Sequence, residues 1–281
     1  MDLFDFDFSS ENKDSYGLIF FDTETTGSAK DDEIIEIGAI VENGQNITTY
    51  DELCGTNRLI AVEAMVTHGI RNEDIKDKKP FNKSKFYSNL DSLNKEQNYF
   101  IAHNLPFDLE RLKFYGFNPK AKLIDTLQCA KHLFELEEPL GYLEYPLPNY
   151  KLQTFRYILF TPKQEQEEAN RFNISIKAHS ALSDVIILRM FFYKLLERLM
   201  QKYPKLNKQE ALDELVVLSK KPVLVKKFNF GKHKGKLIKD VLIEDRGYLE
   251  WLYNDMKKQL NGGGEVDENM FATLKVLLEQ V

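Results

Sequence analysis

With 281 residues, 43% of them hydrophobic and 29% charged, the chain has room for one large domain and an appendage, in the balance of an ordinary globular protein. Its net charge of −6 argues against a broad, charge-driven nucleic-acid coat, although a site built of carboxylates would add negative charge that bound cations cancel. The only two cysteines, Cys54 and Cys129, exclude a four-cysteine zinc site and suit reduced thiols.

The N-terminus, MDLFDFDFSS, alternates Asp with Phe and lacks the basic start and apolar core of a signal peptide. Residues 1–15 therefore read as a flexible tail, and a cytoplasmic location is expected. Residues 16–21 are a strand-like run ending at Asp22; residues 33–41 predict a second strand and 47–54 a third, with Asn43-Gly44 as the hairpin turn. Helical stretches at 61–68 and 83–93 precede an apolar run, 99–102, that predicts a buried strand. Asn104 is a good N-cap residue, with Pro106 in the first turn that follows. A strand starting at 123–124 runs into a helix through 134. Pro139, Gly141, Pro146 and Pro148 make residues 137–149 a loop or lid. Residues 152–160 and 164–170 look helical. Residues 181–200 predict a long amphipathic helix that Arg189, Lys194 and Arg198 make too polar for a bilayer, so no membrane contact is expected. Three antiparallel strands followed by alternating helices and strands predict an α/β fold with a mixed five-stranded sheet flanked by helices.

Residues 16–201 form the main domain on this reading, and residues 202–221 a linker and helix, opened by the capping-box pair Asn207 and Glu210. A small basic module covers residues 222–281. Between Lys220 and Lys239 stand eight lysines and no acid, so any footprint for a polyanion is expected there.

Five residues carry the chemistry: Asp22 and Glu24 in FFDTETTG, Asp108 in AHNLPFD, and His179 with Asp184 in HSALSD. Residues two apart on a strand face the same way, so Asp22 and Glu24 can share one ion. Hard oxygen ligands suit two divalent ions clamping an in-line phosphodiester displacement. Two carboxylates cannot balance two dications, so Asp108 and Asp184, both near helix starts, are expected to converge on them. His179, with an unperturbed pKa of about 6.5, can take a proton from the attacking water. Each residue taken singly also has a plainer reading, as a turn, helix-dipole or surface residue. Their co-occurrence in order, each inside a longer phrase, outweighs it.

Those phrases resemble the three motifs of the DEDDh family of 3′–5′ exonucleases: FFDTETTG the first, AHNLPFD the second, and HSALSD the third, with His179 five residues before Asp184. DEIIEIGAI and LIDT also look like the family, over roughly residues 16–200. The resemblance implies an RNase H-like core and release of nucleoside monophosphates from a 3′ end with two divalent ions, Mg2+ with Mn2+ substituting. It implies that Asp22 bridges both ions, that Glu24 and Asp184 hold the one that activates water, and that Asp108 supports the other, directly or through water. His179 is then the general base. Thr25, Asn104 and Phe107 would position the terminal nucleotide, although core packing accounts for Phe107 equally well. His68 in VTHGI would face the substrate cleft, and His103 would orient a turn. The resemblance also implies a homodimer, for which the sequence offers no large apolar face.

The phrase FNFGKHKGKLIKDVLIEDRGYLEWL, residues 228–252, resembles the small C-terminal domain of exodeoxyribonuclease X-like proteins and favours DNA over RNA. Gly231 and Gly235 bracket Lys232, His233 and Lys234 in a tight basic turn, with Lys236 following, and this turn is the candidate phosphate contact. A merely solvated loop is the competing reading. Asp245 is expected to cap a short helix whose Tyr248, Trp251 and Leu252 form a miniature core with Trp251 inside. A helix at 267–280 would pack back on the module. Two alternatives stand beside a DNA-directed nuclease: an RNA 3′-end trimming exoribonuclease, and an accessory subunit whose DLFDFDF tail docks on a polymerase or its clamp.

Overall fold

The computed structural model describes residues 16–174, 180–264 and 266–279. The N-terminal tail, with its expected polymerase or clamp contact, and His179 lie outside the described residues. The chain divides into two compact units, Met1–Ser219 and Lys220–Val281.

In the larger unit, β1 (Gly17–Thr25), β2 (Ile34–Asn43) and β3 (Asn46–Leu53) form an antiparallel meander. Helices α1 (Val62–His68), α2 (Asn72–Ile75) and α3 (Lys85–Leu93) follow, with a 3-10 turn at Phe81–Lys83. The chain then alternates β4 (Tyr99–Ala102), α4 (Leu105–Phe114), β5 (Lys122–Asp125) and α5 (Thr126–Leu133). Both β4 and β5 run parallel to their neighbours. The sheet order β3-β2-β1-β4-β5 is the mixed, five-stranded, helix-flanked arrangement expected of an RNase H-like core. The proline-rich segment holds a small hairpin, β6 (Pro139–Leu140) with β7 (Tyr145–Pro146). Helices α6 (Leu152–Leu159), α7 (Pro162–Arg171), α8 (Ala181–Lys202) and α9 (Lys208–Lys220) complete this part of the chain.

The central strand β1 feeds two cores, because successive side chains on a strand point to opposite faces. Leu18 and Phe20 join the core made with α5, α6 and α8, while Ile19 and Phe21 join that made with α3 and α4. Phe155 and Phe191 stack at 4.1 Å within the first. Expected to be amphipathic, α8 is instead buried around most of its circumference, since the sheet covers one side and α5, α6 and α7 the others. Arg189, 8% exposed, is tolerated there through ion pairs with Glu42 and Glu168.

Residues 202–221 are less of a linker than their sequence suggests. Ala211, Leu212, Leu215 and Leu218 of α9 enter the α8 core, and Asp213 accepts hydrogen bonds from Tyr99 and Lys122 at 2.9 and 2.5 Å. The Asn207–Glu210 capping box forms, each amide donating to the other's side chain at 2.9 Å. Both cysteines are free and buried, and burial pushes their thiols up to about 12. Among the described residues no helix is long and apolar enough to cross a membrane.

In the smaller unit a loop closed by a bridge between Lys227 and Leu237 leads into α10 (Ile238–Glu244), α11 (Arg246–Asn261) and α12 (Glu268–Glu279). Its core holds Phe228, Ile238, Val241, Leu249, Leu252, Met256, Met270 and Leu274, so α12 does pack back on the module. Asp245 caps α11 as expected, but the helix runs 16 residues. Trp251 is not in the core: it is 59% exposed. Leu249, Leu252 and Met256, three and four residues apart, fill the inward stripe and leave Trp251 outside it.

Candidate active site

Asp22 and Glu24 continue the face of Leu18 and Phe20, the face that α8 covers. Across the antiparallel register Asp22 lies opposite Gly38 and Glu24 opposite Glu36. Asp184 enters from the first turn of α8, and ligand oxygens of Asp22, Glu24 and Asp184 lie within 4.8 Å of one another. Two residues of β2 hold that turn in place. Glu36 accepts from the Ala181 amide through Oε2 at 3.0 Å, satisfying a helix-start donor and complementing the helix dipole. Gly38 allows the close approach, since a Cβ there would lie 2.3 Å from the Leu182 nitrogen.

This concentration of like charge is costly away from water. Burial pushes the Asp22 carboxyl well above its usual range, and Asp108, Glu24, Asp184 and Glu36 push it further. Burial, then Glu36, Asp184 and Asp108, raise Glu24 to about 8. Such a cluster needs protons or cations, and an all-carboxylate donor set fits hard divalent ions such as Mg2+ and Mn2+.

Asp108 stands apart from the three. Thr23, whose side chain faces away from α8, donates to Asp108 Oδ1 through its amide at 3.1 Å and its hydroxyl at 2.6 Å. The pleat therefore divides the four expected acids, three on the α8 side and Asp108 on the α4 side, buried and 3% exposed. Burial raises it to about 7 against the opposing Thr23 bonds. One turn along α4, the buried Arg111 donates to the Ser28 and Ala29 carbonyls at 2.8 and 2.9 Å, tying the helix to the loop after DTETTG. Its guanidinium sits 3.9 Å above the half-buried Phe107 ring.

Thr25 is buried, and its hydroxyl donates to the Gly27 carbonyl at 2.7 Å. His68 is buried too. Its Nδ1 accepts from the Ile70 amide at 3.0 Å, which leaves the proton on Nε2, 3.3 Å from the Thr25 carbonyl. Burial holds its pKa below the ordinary imidazole range, and with Glu36 it lines a cleft of about 530 Å3. Asn104 occupies the N-cap of α4 in a left-handed conformation, φ 72°, but its exposed side chain makes no cap bond. Its amide instead donates to Asp125 Oδ1 at 3.0 Å, which gives the LIDT phrase its role. His103 bridges Thr126 Oγ1 and the Tyr150 carbonyl at 3.0 and 2.9 Å, and burial lowers it to about 4.

A network that sequence reasoning missed reaches Asp184 from α6. Gln153 Nε2 donates to Asp184 Oδ1 at 2.6 Å, Arg156 donates to Gln153 Oε1 at 3.4 Å, and Glu165 accepts from Arg156 at 3.0 and 2.6 Å. The available signal was faint: three polar residues in α6 and α7, outside any motif.

In the smaller unit Gly231 and Gly235, φ 67° and 86°, form the expected tight turn. Its cations are mostly engaged. Lys232 pairs with Asp245 at 2.7 Å, Lys236 with Glu244 at 2.6 Å, and the buried His233 places Nε2 3.0 Å from Asp245 Oδ2. The hydrogen bonds from Lys232 and His233 hold Asp245 down to about 2. Lys234 is exposed.

Residues 19–192 match the family model described as exonuclease. The chain belongs to that exonuclease family. Residues 228–256 of the exonuclease match a second model, the exodeoxyribonuclease X-like C-terminal domain, so the resemblance seen in both units is borne out. It is 28% identical over 208 residues to the 3′-5′ exonuclease DinG of Bacillus subtilis (strain 168), covering 70% of this chain but only 19% of that protein. It is 25% identical over 240 residues to exodeoxyribonuclease 10 of Escherichia coli (strain K12), covering 85% of this chain and 91% of that one. Its fold is similar to E. coli exonuclease I in a complex with a dT13 oligonucleotide, with a TM-score of 0.50 and 18% identity over 70% of this chain and 46% of that one.

Proposed function

We propose that this exonuclease removes nucleoside monophosphates from the 3′ ends of DNA by metal-dependent hydrolysis, in repair or proofreading. One observation carries the reading: three half-buried carboxylates, Asp22, Glu24 and Asp184, converge with Asp108 and Glu36 close behind, a concentration of like charge that divalent cations would neutralise in place of protons. Two divalent ions, Mg2+ or Mn2+, when bound supply charge neutralisation and Lewis acidity at the scissile phosphodiester. Asp22, Glu24 and Asp184 would hold them, and Asp108 would support the cluster from behind Thr23. His179 takes the proton of the attacking water. Asn104, exposed at the start of α4, and Phe107 hold the terminal nucleotide, while Thr25 and His68 fix the end of β1 beside it.

The test is a cleavage ladder. Protein and the His179→Ala variant meet 5′-labelled single-stranded DNA and matched RNA with Mg2+, Mn2+ or chelator. A metal-dependent ladder descending from the 3′ end, lost in the variant and faster on DNA, is expected. Faster cleavage of RNA would reassign the enzyme to RNA trimming, and no cleavage of either would sink the proposal.

A further inference from the structure

Trp251 is the single tryptophan of the chain, and 59% of it is exposed. A side chain in a helix leans back over the turn before it, toward positions i−3 and i−4. Those positions are Tyr248 and Gly247. The indole lies against the Tyr248 ring at 5.7 Å and 34°, and the surface at Gly247 is open, since a Cβ there would meet nothing within 4 Å. The result is an aromatic step with a bare flank. Lys232 reaches over the Tyr248 ring, its Nζ 4.9 Å from the centroid, and the exposed Lys234 lies in the same turn. The unit that carries the step, residues 220–281, has twelve Lys and Arg against nine Asp and Glu, a net +3 within a chain of net −6.

We infer that the Tyr248–Trp251 face of the C-terminal unit is a stacking platform for the bases of a single-stranded polynucleotide. Unpaired bases offer flat π-faces to an exposed indole, and their phosphates meet the positive balance of this unit. A paired duplex hides its base faces, so the platform selects single strands. Lys232 is held over the ring by its ion pair with Asp245, and the exposed Lys234 of the same turn is placed to meet a phosphate. The inference rests on the exonuclease reading only for its class of partner, and it adds a binding surface outside the carboxylate cluster.

Trp251 is its own reporter. The full-length protein is titrated with oligothymidylate in chelator, which stops hydrolysis, while tryptophan emission is followed. Quenching is expected, with an affinity that falls as salt rises. Anisotropy of a labelled oligothymidylate should then show Trp251→Ala binding about tenfold more weakly and Trp251→Phe keeping most of the affinity. Unchanged emission, or full affinity in Trp251→Ala, overturns the inference. So would a concentration-dependent dimer abolished by Trp251→Ala, which would assign the face to a second copy of the chain. Cleavage in Mg2+ by the same preparation separates the two readings: a quench without cleavage counts against the exonuclease, cleavage without a quench against the platform.

Discussion

Gln153 on α6 donates to Asp184 Oδ1 on α8 at 2.6 Å, and Gln153 is itself steadied by an Arg156 guanidinium that Glu165 holds with both oxygens. The donor leaves Asp184 a carboxylate of fixed orientation, its other oxygen directed by the same bond. Partners that orient ligand side chains typically contribute tenfold or more to metal affinity. Gln153→Ala is expected to weaken Mn2+ binding about tenfold, read by calorimetry, with a melting temperature in chelator close to that of the parent. Equal Mn2+ affinity in the two proteins would reduce the Gln153–Asp184 bond to packing.

The carboxylate cluster also sets how stability responds to pH. Folding raises Glu24 from 4.5 to about 8 and Asp108 from 3.8 to about 7, so the folded chain binds more protons than the unfolded one across that interval. Stability without metal is therefore fully present below the unfolded carboxyl range and is lost as pH rises through about 7 and about 8. Melting curves in chelator should shift to lower temperature from pH 5 to about pH 8.5, and Mg2+ should restore more at the upper end than at the lower. A metal-induced shift independent of pH would contradict the cluster as the binding site.

Much of this was legible in the sequence, because the fold rests on local signals. The strands follow from apolar runs long enough for one crossing of the sheet, and Gly44 marks the β2–β3 hairpin, although its turn is Gly44-Gln45, one residue on from the expected Asn43-Gly44, with Asn43 paired to Asn46. The acids stand out because each sits in a fixed phrase. What the phrases did not reveal is direction. That Asp108 meets Thr23 while Asp184 meets Asp22 and Glu24 depends on the pleat of β1 and on which helix covers each face, a tertiary fact. Trp251 was misplaced for a similar reason: a helix with Tyr248, Leu249, Trp251 and Leu252 has more apolar residues than one stripe holds, and only packing decides which pair turns outward. Gln153 and Arg156 were invisible because polar side chains in a short helix look the same in sequence whether they face solvent or a carboxylate.

Gly38→Ala tests how tightly the site depends on the approach of α8. The added methyl would sit 2.3 Å from the Leu182 nitrogen and 2.4 Å from the Ala181 carbon, both backbone atoms with no rotamer to escape into. Either α8 lifts from β2 or the sheet bends, at a cost of about 1–3 kcal/mol. The expected signature is a lower melting temperature together with weaker Mn2+ binding, since the turn that moves carries Asp184. Loss of stability with undiminished metal affinity would show that Asp184 is placed by something other than the contact with Gly38.

Asp22→Asn separates the cost of the cluster from its use. Asp22 is pushed up by burial and by four neighbouring carboxylates, and it gains nothing in return until a cation arrives. An amide of the same shape removes one of those charges while keeping the volume, so in chelator at about pH 8 the variant should melt at a higher temperature than the parent. Mg2+ should then add little or nothing to its stability, and hydrolysis should fall by several orders of magnitude because the carboxylate cluster has lost one of its charged oxygen donors. These effects arise from one charge and should appear together. A variant that melts lower than the parent in chelator would mean that the Asp22 carboxylate is held by protein contacts rather than reserved for metal.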